Sequence, residues 1–298
     1  MSQWIYLNGQ YVPRHEARVS VFDRGFLYGD GVYETLRTYG PQVFMLDAHL
    51  TRLHRSANAI GITIPVHDHE WPSLIHELLC RNSLAQAGTA STPTSPDDAY
   101  IRITVTRGEG DIGLDTALAR TPTVVVLAKV LAPYPPEWYL NGVTLCIAST
   151  RRNLATALPP QVKSLNFLNN ILAKREASQG GAFDAVMLNA EGHLTECTVS
   201  NVFFVKAGKL YTPSIDCGIL DGITRHLVLN LAQQAGISTE EGAYPAERLL
   251  TAEEVFLSNT TMEVMPVRAI GQTAIGTGSP GPMTVQLRAA FQAARSSS

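Results

Sequence analysis

The sequence predicts a two-part α/β protein. Three observations carry that expectation. Strand-like and helix-like segments alternate through the second half of the chain. In the first half, Tyr100-Ile101-Arg102-Ile103-Thr104-Val105-Thr106 alternates as a half-buried strand should. Between them, Ala132-Pro133-Tyr134-Pro135-Pro136-Glu137 has the composition of a stiff linker. The expected division is therefore a smaller domain over residues 1–131, a linker over 132–137 and a larger domain over 138–298, and 298 residues is enough chain for two ordinary domains.

The elements follow in order. Trp4 to Gly9 reads as a strand and turn. Residues 46–60 form a helix, because Leu46, Leu50, Leu53, Ala57 and Ile60 share one face; His49 and Arg52 flank that stripe and Arg55 points to water. A second helix spans 69–85, and residues 88–98, rich in Thr, Ser, Ala and Pro, form a loop. In the 100–106 strand, Ile101, Ile103 and Val105 face one way, and Tyr100, Arg102, Thr104 and Thr106 the other. A strand follows at 122–131. Beyond the linker, strands at 142–148, 183–188, 199–205 and 254–258 are interleaved with helices at 165–178, 223–235 and 282–295. The terminal Ser296-Ser297-Ser298 is expected to fray.

Composition narrows the class. Hydrophobic residues make up 45% and charged residues 16%, with a net charge of −3, as in a soluble globular protein. There is no basic block for nucleic acid. No apolar run approaches the roughly 20 residues of a membrane span. The N-terminus does not read as a signal peptide, and the expected compartment is the cytoplasm. Cys80, Cys146, Cys197 and Cys217 are scattered without a C-x-x-C, so neither a metal site nor a disulfide framework is expected.

The chemistry concentrates in three places. Of five lysines, Lys206 and Lys209 flank the turn Ala207-Gly208, Lys174 sits on the wet side of a helix and Lys129 ends an apolar run. Lys163 alone follows a double proline, Pro159-Pro160, which stiffens its support. A surface lysine near a helix start is the plainer alternative. Glu196 interrupts a neutral, strand-like segment, where a buried carboxylate would need a cationic or N–H partner; an edge-strand glutamate in water is the alternative. The helix at 223–235, with Ile223, Leu227, Val228, Leu231 and Ala235 expected as its buried face, starts after Asp221-Gly222 and ends at Gly236, leaving the N–H groups of Ile223 and Thr224 for an anion or for an Asp221 cap. Ser258-Asn259-Thr260-Thr261 is either an anion nest at a strand end or an ordinary turn. An amine, a carboxylate and a helix N-terminus are what an enzyme needs to hold pyridoxal 5′-phosphate.

With these motifs in order, the chain resembles the class IV, fold-type IV pyridoxal-phosphate aminotransferases. The resemblance rests on Val21-Phe22-Asp23-Arg24-Gly25, Tyr28-Gly29-Asp30-Gly31-Val32-Tyr33-Glu34, His49-Leu50-Thr51-Arg52-Leu53, Lys163-Ser164-Leu165-Asn166, Thr195-Glu196, Ser200-Asn201 and Asp221-Gly222-Ile223-Thr224-Arg225. It implies two α/β domains with the cofactor between them, in a homodimer or higher homo-oligomer. It implies Lys163 as the Schiff-base lysine and proton carrier, Glu196 on the pyridine nitrogen, and Arg52, Ile223, Thr224, Thr260 and Thr261 on the phosphate. Among subgroups, Tyr100-Ile101-Arg102 and Gly110-Asp111-Ile112-Gly113 are similar to branched-chain amino-acid aminotransferases. That similarity implies ping-pong exchange between hydrophobic L-amino acids and 2-oxoglutarate. Tyr28, Tyr33, Arg37, Tyr100, Arg102 and Phe167 are then expected on the substrate side, with Ile112 adding to an apolar pocket. Thr35 and Phe167 depart from that subgroup, which keeps a D-amino-acid or (R)-selective amine transaminase as the alternative. An aminodeoxychorismate lyase and an inactive binding protein are further alternatives.

Overall fold

The computed structural model of the chain describes residues 3–84, 98–278 and 280–295. The loop expected at 88–98, apart from Asp98, and the serine tail lie outside the described residues. The chain divides into two compact units, one of Met1–Pro133 with Val162–Asn166, the other of Tyr134–Gln161 with Phe167–Ser297. Two details differ from the expected linear division. Pro136 opens a helix, so the end of the expected linker is helical; proline suits a first helical position, where no N–H partner is needed. The stretch carrying Lys163 packs with the first unit, although its place in the chain had put it in the second domain.

The first unit is a sheet with helices. Its strands are β1 (Trp4–Leu7), β2 (Gln10–Pro13), β3 (Gly31–Tyr39), β4 (Gln42–Val43), β5 (Ala99–Thr106) and β6 (Thr123–Val130). They pair in the order β2-β1-β6-β5-β3-β4, every pair antiparallel. Helices α1 (Arg24–Tyr28), α2 (Leu46–Ala59) and α3 (Trp71–Arg81) complete it. The alternation in β5 decides its packing. Ile101, Ile103 and Val105 are fully buried and join Val32, Leu36, Leu53 and Trp71 in one core, while Tyr100, Arg102 and Thr104 on the opposite face are half-buried and Thr106, expected with them, is buried with its hydroxyl donating to Asp23.

The second unit holds α4 (Pro136–Asn141), β7 (Val143–Ile147), α5 (Leu168–Gln179), β8 (Asp184–Leu188), β9 (Leu194–Cys197), β10 (Asn201–Lys206), β11 (Lys209–Pro213), α6 (Ile223–Gln234), β12 (Thr239–Gly242), α7 (Ala246–Leu250), β13 (Glu254–Asn259), β14 (Glu263–Ile270), β15 (Thr273–Ala274) and α8 (Pro282–Ala294). Its sheet runs β12-β11-β10-β13-β14-β7-β8-β9, with β15 on β14. Parallel pairs (β11–β12, β14–β7, β7–β8) mix with antiparallel ones. Phe203 stacks on Phe256 across β10 and β13, with ring centroids 4.9 Å apart.

Two helix expectations need correction. The helix expected from residue 165 starts at Leu168, because Ser164 bridges to Val32 and Leu165 N–H donates to the Gly31 carbonyl. Nor is α5 packed by its larger apolar residues. Ala173 and Ala177 are buried, whereas Leu168, Ile171 and Leu172 are exposed. In α6 the expected buried Leu227 and Ala235 are half-buried and exposed, and Thr224 and Arg225 are buried instead. Gly236 ends that helix in the left-handed region at φ +71°, as a glycine there can.

Candidate active site

Lys163 is held by the backbone on both sides. Its N–H donates to Ser56 Oγ of α2 at 3.1 Å, and its carbonyl accepts from Tyr33 N–H of β3 at 3.0 Å. Its Nζ lies 4.5 Å from the centroid of the Tyr33 ring. The other four lysines are elsewhere: Lys174 donates to the Phe183 carbonyl, Lys206 to the Thr251 carbonyl and Lys209 to Glu240, while Lys129 is exposed at the end of β6 beside Tyr100.

The Tyr33 ring has a second cation. Arg102 Cζ lies 4.0 Å from its centroid, and Arg102 Nε donates to Thr104 Oγ1 at 3.3 Å. The register explains this: Thr35 pairs with Arg102 and Tyr33 with Thr104, so Tyr33, Thr35, Tyr100 and Arg102 share one sheet face. On the same face the Tyr100 and Thr35 hydroxyls are 3.5 Å apart. Arg37, expected with these residues, is fully buried; its Nη2 donates to Asp98 at 2.5 Å and its guanidinium lies over Tyr39. Tyr28 ends α1, where its hydroxyl accepts from Gly113 N–H at 3.2 Å. Phe167 is half-buried at the start of α5, and Ile112 is exposed.

Beneath this face α2 presents Arg52 to Glu34. Arg52 Nε donates to Oε1 at 2.7 Å and Nη2 to Oε2 at 2.8 Å, and His49 Nδ1 lies 2.8 Å from Oε2. Burial on its own would raise the pKa of Glu34, but the Arg52 charge, backed by hydrogen bonds from Arg52 and His49, holds its carboxyl well below the usual carboxylate range.

In the second unit Glu196 is buried and already paired. Arg152 Nη2 lies 2.9 Å from Oε1, and Leu220 N–H donates to Oε2 at 2.9 Å. Arg152 has no local sequence signal linking it to Glu196, and its Nη1 also reaches Asn169 and Asn170 at 3.3 Å each. Helix α6 begins without a side-chain cap at Gly222, since Asp221 pairs with His226 instead. Gly222 is required there: an added Cβ would lie 1.9 Å from Asn201 Oδ1. At the β13 end, Asn259 Oδ1 accepts from the N–H groups of Thr261 and Met262 and from the Thr261 hydroxyl, so the expected nest is closed at Thr261 by its own turn. Thr260 is half-buried. Ser258 Oγ, on the same strand, is buried without a hydrogen-bond partner among the described residues. An uncapped helix N-terminus and a buried carboxylate form the donor and acceptor set that suits a phosphorylated pyridine.

Comparison with known proteins supports the same chemistry. The family described as amino-transferase class IV matches residues 31–270. A Methanocaldococcus jannaschii protein, provisionally named a branched-chain-amino-acid aminotransferase, is 41% identical over 97% of this chain and 95% of its own. A Bacillus licheniformis D-alanine aminotransferase is 36% identical over the same shares. The Escherichia coli branched-chain amino acid aminotransferase superimposes with a TM-score of 0.91 at 29% identity, over 98% of this chain and 94% of that one. A further branched-chain amino acid aminotransferase, from T.th. and solved with pyridoxamine 5′-phosphate, also superimposes with a TM-score of 0.91, at 31% identity over all of this chain and 95% of that one. The chain belongs to the class IV aminotransferases, enzymes that work with pyridoxal 5′-phosphate.

Proposed function

We propose that this transaminase moves an amino group between a branched-chain or similarly hydrophobic L-amino acid and 2-oxoglutarate, in ping-pong fashion. The observation that carries this reading is the Tyr33 ring, which has an amine, Lys163, and a guanidinium, Arg102, within 4.5 Å of its centroid. An amino acid needs a base at its Cα, a cation for its carboxylate and an apolar wall for its side chain, and this face offers all three. When bound, pyridoxal 5′-phosphate supplies the electron-withdrawing ring. Lys163 is the amine that anchors the cofactor, and its Nζ carries a proton from and to the substrate Cα. Glu196 accepts the N–H of the pyridine ring, its orientation fixed by Arg152 and Leu220. Arg52, Thr260 and the N–H groups of Ile223 and Thr224 hold the phosphate, while Thr261, turned onto Asn259 Oδ1, shapes the turn that carries Thr260. Tyr100 and Arg102 receive the substrate carboxylate, with Tyr28, Tyr33 and Phe167 as walls. Arg37, locked to Asp98, supports that face.

We also assign a homodimer as the working form, in the cytoplasm. In support, the first unit exposes Val21, Phe22, Phe26, Ile112 and Leu114, and the second exposes Leu168, Ile171 and Leu172. Among the described residues no helix is long and apolar enough to cross a membrane.

A second reading is favoured by the D-alanine aminotransferase at 36% identity and by Thr35 and Phe167, which depart from the branched-chain pattern. One donor panel separates the two: L- and D-amino acids and both enantiomers of 1-phenylethylamine, each with 2-oxoglutarate. Turnover fastest with L-leucine, L-isoleucine or L-valine is the expected result. Preference for D-alanine or for the (R)-amine replaces the branched-chain assignment with the second reading.

A further inference from the structure

Val32, Glu34 and Leu36 share one face of β3, by the period of two of a strand. All three are fully buried. A carboxylate between two aliphatic residues is a poor choice for stability alone, because an apolar residue of similar size packs there at least as well. Its contacts point to another purpose.

We propose that Glu34 is a positioning residue: it fixes the Arg52 guanidinium for the cofactor's phosphate and so sets the preference for phosphorylated over unphosphorylated pyridoxal. The inference rests on the reading that Arg52 holds that phosphate. An arginine side chain is long and has many rotamers, so one that must meet an anion at a fixed place gains from being held beforehand. Glu34 grips Arg52 by Nε at 2.7 Å and Nη2 at 2.8 Å. Two parallel bonds fix both the position and the plane of a guanidinium. The third contact braces the carboxylate itself. An ionised carboxylate only accepts, so His49 Nδ1, at 2.8 Å from Oε2, carries the hydrogen of that bond. His49 and Arg52 are three residues apart on α2 and reach Glu34 from the same side of the helix. Burial, the largest influence, holds the His49 pKa below its ordinary value, against the pull of Glu34. The grip is therefore one anion against one cation, with a neutral imidazole as the wedge.

The same anchor reaches the lysine. Ser56, one turn beyond Arg52 on α2, accepts from Lys163 N–H, and Tyr33, next to Glu34, donates to the Lys163 carbonyl. Glu34 thus ties together the helix and the strand that support Lys163.

The test compares the affinities of apoprotein for pyridoxal 5′-phosphate and for pyridoxal, measured by absorbance titration without any turnover. Wild type, Glu34→Gln and Arg52→Leu are titrated with both ligands. In Glu34→Gln the preference for the phosphorylated ligand should fall about tenfold while pyridoxal affinity changes little, the size expected from disturbing a charge-assisted contact. Arg52→Leu should lose at least as much of the preference. If Arg52→Leu keeps the wild-type preference, the assignment of Arg52 to the phosphate fails, and the proposal with it. If Arg52→Leu loses the preference but Glu34→Gln keeps it, or weakens both ligands equally, then Glu34 is structural and only the proposal is overturned. Should Glu34→Gln not fold, His49→Leu decides the matter, since it removes the N–H donor that braces the carboxylate and leaves the ion pair. A fall of roughly threefold in the preference supports the proposal; no change overturns it.

Discussion

Glu34 in the first unit and Glu196 in the second are both buried carboxylates gripped by an arginine. Glu34 is fully sealed and accepts from two nitrogens of Arg52 and from His49. Glu196 keeps a slight exposure and, among the described residues, has one partner on each oxygen, Arg152 and the Leu220 N–H. A carboxylate has about four acceptor positions. Glu34 uses three of them and is sealed from solvent, whereas Glu196 uses two and keeps a slight exposure through which a further N–H can reach it. Burial alone therefore does not mark a carboxylate that meets a ligand; unspent acceptor capacity at a surface does.

Lys163→Ala defines the maximum loss against which each carboxylate is judged. Transamination should disappear, and borohydride reduction should leave no cofactor on the peptide that spans residue 163. A reduced, cofactor-labelled peptide at Lys129 or Lys174 would move the assignment.

The two carboxylates should then separate by what they damage. Glu34→Ala leaves Arg52 without its counter-charge in a dry interior, at a cost of about 3–5 kcal/mol in stability, visible as a lower melting temperature of the apoprotein. Glu196→Gln should leave folding nearly intact and lower kcat by roughly a hundredfold, about 2.7 kcal/mol at 1.36 per tenfold. If Glu196→Gln instead lost stability and kept its kcat, the contrast between the two sites would collapse.

Arg102→Leu sharpens the picture on the substrate side. Loss of a charge-assisted bond to a carboxylate costs about 1.5–3 kcal/mol, so kcat/KM for L-leucine should fall ten- to a hundredfold. Any activity toward an arylalkylamine, which has no carboxylate, should change little. Parallel loss of both activities would make Arg102 a packing residue on Tyr33.

The smallest expected effect concerns a carboxylate near the surface. Glu176 of α5 accepts from the N–H and hydroxyl groups of Ser149 and Thr150. The Thr150 hydroxyl, first among these, lowers its pKa to about 2. A depressed carboxylate pKa stabilises the fold above the unfolded value, near 4.5, and that contribution is lost as pH falls toward 2. Solvent screening keeps it to about 1 kcal/mol or less. Wild type should melt slightly above Glu176→Gln at neutral pH, and the gap should close between pH 4.5 and 2.

How much could be read from the chain follows from where each signal resides. The inward residues of β5 were legible because alternation is local, and the end of α6 because Gly236 is a local stop. Strand β14 was not, since Pro266 inside Glu263–Ile270 argues against a strand, although Pro266 is paired with Phe256. For α5, the packing residues are the alanines Ala173 and Ala177, which carry a weak apolar signal, and not the larger apolar side chains. At the candidate site, Lys163 and Glu196 could be singled out as chemically unusual in their surroundings. Their supports could not: Ser56 and Arg152 are ordinary residues brought close by tertiary structure. Glu34 did leave a trace, a charge at an inward position of an otherwise apolar strand face.

The five residues Val162–Asn166 belong by packing to the first unit and by covalent sequence to the second. Heredity and architecture thus disagree about who owns the lysine. A chimera joined at Pro133–Tyr134, within the expected linker, would inherit Lys163 from one parent, and Tyr33 and Ser56, which hold it, from the other. Shuffling relatives at that seam exchanges Lys163 without its mounting, so the coherent unit of exchange is the first 133 residues together with a five-residue passenger from further along the gene.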